Sequence, residues 1–199
     1  QKLQAKDGDT VEIFSDFYDK LEGYPGYGRN EGVENGDEVY MKNLSAEELE
    51  ELSKVYKYSP KDGKKIGRHF GAQFFTIGQR RGLNIGGHKE SIFVIETDVN
   101  YNVIYVGEGH QHPGLLRKAL RISADEVHWI REDLKMSAGE VREYDVRIRY
   151  RQPLQKAKLY KKESDLYIVF REHQRGITPG QFAVWYASDG EMVGSGVIS

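Results

Sequence analysis

Arg147, Arg149 and Arg151 stand at every second position near the end of the run Val141 to Arg151, and Lys156, Lys158, Lys161 and Lys162 follow at once. In an extended strand alternate side chains share a face. The three guanidinium groups would then form a ladder, with Val146, Ile148 and Tyr150 turned to the other side. Such a ladder is ~13 Å long at about 3.3 Å per residue, comparable with two phosphate spacings along a nucleic-acid strand. A second basic stretch is rich in glycine: Gly78-Gln79-Arg80-Arg81-Gly82-Leu83-Asn84-Ile85-Gly86-Gly87. Glycine permits positive φ and leaves N–H groups uncovered, and arginine adds a charged fork, so the chemistry that suits this loop is phosphate binding. From Lys64 to Lys89 there are six Lys or Arg and no Asp or Glu. The plainer alternative for both stretches is a solvated face, with Asp145 or a neighbouring strand neutralising the arginines.

Thr178-Pro179-Gly180-Gln181 has the chemistry of a type II turn: Pro179 pre-sets φ and Gly180 supplies the positive φ. It presents Gln181 at the start of the next strand, where the amide either reads a base edge or ribose hydroxyl or serves as an ordinary hairpin residue. Catalysis is harder to find. The six histidines are dispersed, and His110-Gln111-His112 before Pro113-Gly114 lacks nearby carboxylates, a weak metal signal. There is no cysteine, no persuasive Ser/His/Asp order and no Gly-x-x-x-x-Gly-Lys phosphate loop. No catalytic, cofactor-binding or metal-binding residue is assigned.

These residues must be carried by mostly β elements. Thr10 to Phe14 reads as a strand, Ser15 to Gly36 as an irregular excursion, and Phe74 to Ile77 as a strand ending at Gly78. Ser45-Ala46-Glu47-Glu48 is a capping box opening a helix from Ala46 to Tyr56, with Leu49, Leu52, Val55 and Tyr56 on one face, a peripheral packing element. Ser91 to Thr97 and Tyr101 to Val106 form a hairpin around Asp98-Val99-Asn100. A helical turn at Leu115 to Lys118 precedes six strands: Ala119 to Ser123, Val141 to Arg151, Ala157 to Lys161, Leu166 to Arg171, Phe182 to Tyr186 and Met192 to Ile198. Their spacing is that of a small barrel. The expected fold is mainly β (α+β), a small central α/β domain over 1–113 followed by a six-stranded antiparallel β-barrel over 114–199.

The 199 residues suffice for one large or two small domains. A hydrophobic fraction of 38% makes the chain globular, and the net charge of −2 announces no polyanion partner. Charge is nonetheless segregated: Glu31 to Glu51 holds eight acids and one lysine, Arg142 to Lys162 eight bases and two acids. The lack of cysteine suits a reducing cytosol and excludes disulfides. No apolar run approaches the roughly 20 residues of a transmembrane helix, so no membrane partner is expected.

Three segments carry a family resemblance: Thr76-Ile77-Gly78-Gln79-Arg80-Arg81-Gly82-Leu83, Arg149-Tyr150-Arg151-Gln152-Pro153 and Thr178-Pro179-Gly180-Gln181. In order, they resemble signature stretches of the tRNA-specific 2-thiouridylases (MnmA type). Asp62 to His69 and Gly194 to Ile198 add further matches, and Lys2 to Asp9 a weak one. The resemblance implies conversion of the tRNA wobble uridine (U34) to 2-thiouridine, with ATP activating the base and a persulfide supplying sulfur. It implies a parent with an N-terminal ATP-pyrophosphatase domain bearing the phosphate loop and two cysteines, and a C-terminal barrel resembling those of translation factors. This chain has neither loop nor cysteines, and is expected to start just after the second cysteine as a catalytically silent, tRNA-gripping fragment. The implied partners are tRNA, the parent's N-terminal domain and a persulfide donor protein, in the cytoplasm, with ATP as cofactor of the parent only. The resemblance assigns tRNA contacts to Arg149, Tyr150 and Gln181. Arg80, Arg81, Arg147 and Arg151 are candidate RNA-backbone contacts from the residue reading, in which Tyr150 packs inward unless the strand ends there. Departures are an acidic, partly helical insertion at about 14–60 and Asn84 in place of a common glycine. The alternative reading is a non-enzymatic, translation-factor-like barrel that binds RNA or protein, and a third is a scaffold for the catalytic domain.

Overall fold

The computed structural model describes residues 11–15 and 39–199; in 11–15 it describes the backbone and the Ile13 side chain. The excursion expected over Ser15 to Gly36 falls almost wholly outside the described residues, as does the weak match at Lys2 to Asp9. The described residues separate into two compact units, 11–15 with 56–116 and 39–55 with 117–199.

The first unit is a four-stranded sheet. Its strands are β1 (Val11–Ser15), β2 (Lys64–His69), β3 (Ile92–Asp98) and β4 (Val103–Glu108), in the order β2-β1-β4-β3. β1 runs antiparallel to β2 and parallel to β4. The β3–β4 hairpin closes as expected, because the Asp98 carboxylate accepts the N–H groups of Asn100 and Tyr101, each at 3.0 Å. Strand alternation divides this hairpin between two cores. Ile92, Val94, Ile104 and Val106 pack with Ile13 and Leu83, whereas Phe93, Ile95, Val103 and Tyr105 pack with Tyr56, Tyr58 and Leu115. A hairpin apolar on both faces is thereby covered on both.

One expected strand is absent. Ala72–Phe74 is a single 3₁₀ turn, and the chain beyond it is irregular. The Gln79 side chain holds the Thr76 N–H at 3.2 Å and Gly78 takes φ 85°, which curls the chain away from a strand path. Two backbone bonds join it to β3: Gly78 N–H to the Val94 carbonyl at 2.7 Å, and Val94 N–H to the Gln79 carbonyl at 2.9 Å.

The second unit holds a seven-stranded antiparallel sheet. Its strands are β5 (Leu116–Ser123), β6 (Val127–Trp129), β7 (Val141–Arg147), β8 (Gln155–Lys161), β9 (Asp165–Arg175), β10 (Phe182–Tyr186) and β11 (Met192–Val197). Their order is β5-β9-β8-β7-β10-β11-β6. Six match the expected strands; the three-residue β6 is an addition, too short to show periodicity. The helical turn expected at Leu115 to Lys118 is a 3₁₀ turn at Pro113–Leu115 instead, and β5 starts at Leu116. The sheet curls on itself, since Leu120 and Ile122 of β5 and Trp129 of β6, from its opposite edges, share one buried core. Ser199 N–H donates to the Arg121 carbonyl at 2.9 Å beside this seam.

Helix α1 (Ala46–Ser53) begins with the expected capping box: Glu48 N–H to Ser45 Oγ at 3.2 Å, and Ser45 N–H to the Glu48 carboxylate at 2.8 Å. Leu49 and Leu52 pack on Tyr160, Tyr167 and Val169 of β8 and β9. The helix ends at Ser53 rather than Tyr56, because Lys54 adopts ψ 135°. Val55 is therefore exposed, and Tyr56 enters the first unit's core.

Candidate nucleic-acid interface

Strand β7 stops at Arg147, so the three-arginine ladder does not form. Residues 148–152 fold into a turn. Gln152 N–H donates to the Arg149 carbonyl at 3.1 Å, and the Gln152 side-chain oxygen accepts the Ile148 N–H at 3.2 Å. The same amide donates to Gln174 Oε1 at 2.5 Å, tying the turn to β9. Pro153, which has no N–H, follows and cannot extend a ladder of strand hydrogen bonds. The consequences differ for each side chain. Tyr150 does not pack inward but stands 90% exposed at the tip of the turn. Arg151 is exposed beside it. Arg147, still in the strand, lies over the Tyr186 ring at 4.8 Å and donates to the Tyr150 carbonyl at 3.1 Å.

Arg149 reaches across to the loop after β9 and donates to the Gly176 carbonyl at 2.8 Å. Gly176 is also the acceptor for the Thr178 hydroxyl at 3.0 Å. The turn that follows has the anticipated form, with Gly180 at φ 81° and Gln181 N–H donating to the Thr178 carbonyl at 3.2 Å. Gln181 is half-buried at the head of β10, whose pairing with β7 matches Val184 to Arg147. That register ends at Arg147, and beyond it the Arg149–Gly176 bond is what joins the two stretches. Two stretches some thirty residues apart thus meet at one end of the barrel. Phe182, 59% exposed, belongs to the same surface. Sequence reasoning missed Phe182 and the bracing role of Gln152; an apolar residue at the head of a strand beside a turn motif was the available signal.

The surface is strongly positive. Although Arg149 as a residue is exposed, its guanidinium end is partly enclosed, and this burial lowers its pKa. Arg175 is lowered as well, by burial first and then by the charge of Arg149. Both remain cations at neutral pH. The counter-charge considered for this strand is committed elsewhere, since Asp145 pairs with Lys156 at 3.0 Å. Lys158 donates to the Tyr40 carbonyl at 2.7 Å, and Lys161 to the Lys162 and Glu163 carbonyls. These lysines hold the fold together rather than extend a free basic row.

In the first unit, the glycine-rich loop uses several of its polar groups internally. Besides the two bonds to Val94, the Gln79 amide donates to the Arg81 carbonyl at 2.9 Å. Arg80 donates to Ser91 Oγ at 3.2 Å, and Arg81 is exposed. Asn84, where a glycine was expected, takes φ 52°, a left-handed conformation that asparagine tolerates better than most residues. Among the described residues no group of three His, Cys, Asp or Glu is placed to hold a metal ion.

Residues 119–198 match the model of the aminomethyltransferase beta-barrel domain, and residues 51–108 that of the tRNA methyl transferase PRC-barrel domain. Fold and matches therefore define a two-module class, a small β module joined to an antiparallel barrel. The chain is 45% identical over all 199 residues to the tRNA-specific 2-thiouridylase MnmA of Christiangramia forsetii, and 47% to that of Flavobacterium johnsoniae. It is 48% identical over 148 residues, 74% of this chain and 38% of the relative, to that of Karelsulcia muelleri. The chain belongs to the tRNA-specific 2-thiouridylase family. It covers 46% of the length of the first two relatives. No helix among the described residues is long and apolar enough to cross a membrane.

Proposed function

We propose that this chain is the tRNA-binding part of an ATP-dependent tRNA 2-thiouridylase that makes 2-thiouridine at the wobble uridine. Base activation by ATP and sulfur delivery from a persulfide belong to a catalytic domain outside this chain, and the chain alone is inactive. The parent works in the cytoplasm with tRNA and a sulfur-donor protein. The observation that carries the reading is the bond from Arg149 to the Gly176 carbonyl, which joins the turn bearing exposed Tyr150 to the segment that leads into the Gln181 turn. An arginine anchored through Gly176 holds its positive charge at a fixed place for a phosphate. An exposed phenol offers a stacking face, and the neighbouring amide offers both a donor and an acceptor. Arg147 and Arg151 flank this group as backbone contacts, and Arg80 and Arg81 serve the same role on the first unit.

Labelled tRNA titrated across a salt series tests the reading. Affinity should fall log-linearly with salt, and Arg149→Glu should weaken all tRNAs alike and flatten the slope by about 0.7 to 0.9 for its phosphate. A loss confined to some tRNAs would exclude the phosphate role, and no binding at low salt would exclude independent tRNA binding.

A further inference from the structure

The first unit has a cavity that the barrel site does not use. It lies between β2 and the loop after Leu83, has a volume of about 260 Å³, and is lined by Ile66, Arg68, Phe70, Leu83, Asn84 and Gly86 among others. A cavity of about 150 Å³ accepts benzene, so this one has room for a single planar heterocycle. Its wall is held in place. The His69 ring donates from Nε2 to the Gly82 carbonyl at 2.5 Å and accepts the Phe70 N–H on Nδ1 at 2.9 Å. Both ring nitrogens are thereby used, which joins β2 to the far side of the loop and sets the start of the Phe70 segment.

Phe70 is 73% exposed although it lines a cavity, and it is not alone. Phe74 is exposed, and its ring edge comes within 2.9 Å of where a Cβ on Gly71 would stand. The turn bearing exposed Tyr101 is drawn to the same place, because Ala72 N–H donates to Asn102 Oδ1 at 2.9 Å. Exposed aromatic rings clustered at one end of a sheet call for a flat ligand. Charge selects which: Arg68 lines the cavity, Arg81 precedes the Gly82 carbonyl that holds the His69 wall, and no acid occurs from Lys64 to Lys89. Aromatic faces beside cations on a glycine-bare backbone are how proteins hold unpaired nucleotides.

We infer that this cavity is a second nucleic-acid site, which takes one unpaired base of the tRNA by stacking on Phe70 while Arg68 and Arg81 hold its phosphates. The inference rests on the tRNA-binding reading but not on the barrel residues, so the two can fail separately. The test is the Phe70→Trp chain titrated with a mixed-sequence single-stranded oligonucleotide and, in parallel, with a duplex of equal length. Trp129 and Trp185 are buried in the barrel core, so the introduced indole dominates any change in emission. The single strand should quench that emission and the duplex should not. Phe70→Ala should weaken anisotropy-detected binding of the single strand roughly five- to hundred-fold, the loss of one stacked base. Equal quenching by both nucleic acids, or quenching by neither, overturns the inference. Arg149→Glu should leave the quench intact. A quench that disappears with Arg149→Glu would show that the oligonucleotide sits on the barrel, and would also overturn it.

Discussion

Acid should destabilise this protein through one histidine. His112 is 1% exposed, closed in between Gly107 and Gly114. A Cβ on Gly107 would lie 2.4 to 2.6 Å from the ring, so the imidazole rests on bare backbone. Gly114 N–H donates to Nδ1 at 3.1 Å, which makes Nδ1 an acceptor and places the proton of the neutral ring on Nε2. Burial pushes the pKa down from 6.5 to about 4. The unfolded chain then binds the proton more readily than the folded one. The stabilisation is therefore present above the unfolded value and lost as pH falls from there toward the folded value. At about 1.36 kcal/mol per unit, the whole window carries roughly 3 kcal/mol, of which about 2 kcal/mol is lost between about pH 7 and about pH 5. Urea unfolding of the wild-type chain and of His112→Gln at those two pH values isolates it, since carboxylates that titrate in both chains cancel. The wild type should lose about 2 kcal/mol more than the variant. Equal losses would mean that His112 is not held neutral in the fold, and the reasoning would fail.

Two further changes probe the backbone. A methyl group on Gly194 would lie 2.7 Å from both the His128 carbonyl oxygen and the Trp185 ring, so Gly194→Ala must part β11 from β6 or displace a core indole. It should cost about 1–3 kcal/mol in urea unfolding, and a cost near zero would contradict the close approach. At Asn84, where φ is 52°, replacement by glycine should change thermal stability little, whereas Asn84→Val should cost about 1–2 kcal/mol. Equal effects of the two would show that backbone conformation does not govern the position.

Alternation and turn chemistry made most of the barrel legible. β10 has the expected bounds, β11 stops one residue early, and the Pro179-Gly180 turn and the Ser45 capping box formed as their chemistry dictates. The errors arose where a side chain intervened in the backbone. Arg147 to Arg151 alternates well enough for a strand, but the Gln152 amide captures the Ile148 N–H and turns the chain, an event with no periodicity to announce it. Gln79 does the same to Thr76 and removed another expected strand. Helix α1 is shorter than its apolar spacing implies, because Val55 and Tyr56 continue that spacing although Tyr56 belongs to the core of the other unit. Three of the proposed contacts, Arg149, Tyr150 and Gln181, could be named from motifs, but the link between their stretches could not. What links the first motif to the segment before the last is the Arg149–Gly176 bond, which a linear pattern does not encode.

The two turns replace one idea of a phosphate site with another. A glycine-rich loop binds phosphate through free N–H groups, yet here the Gly78 and Gln79 N–H groups already serve Val94 and Thr76. Its glycines allow the bends, its glutamine staples them, and side chains such as the exposed Arg81 stand ready to meet a ligand. At the barrel the order is reversed. Arg149 gives up one N–H to Gly176 and in exchange has a fixed direction, and the neighbouring charge of Arg175 makes a bound anion more favourable still. Losing the Gly176 contact would keep the charge of Arg149 and loosen its aim. Orientation, more than the number of cations, is what this fold adds to the arginines of its sequence.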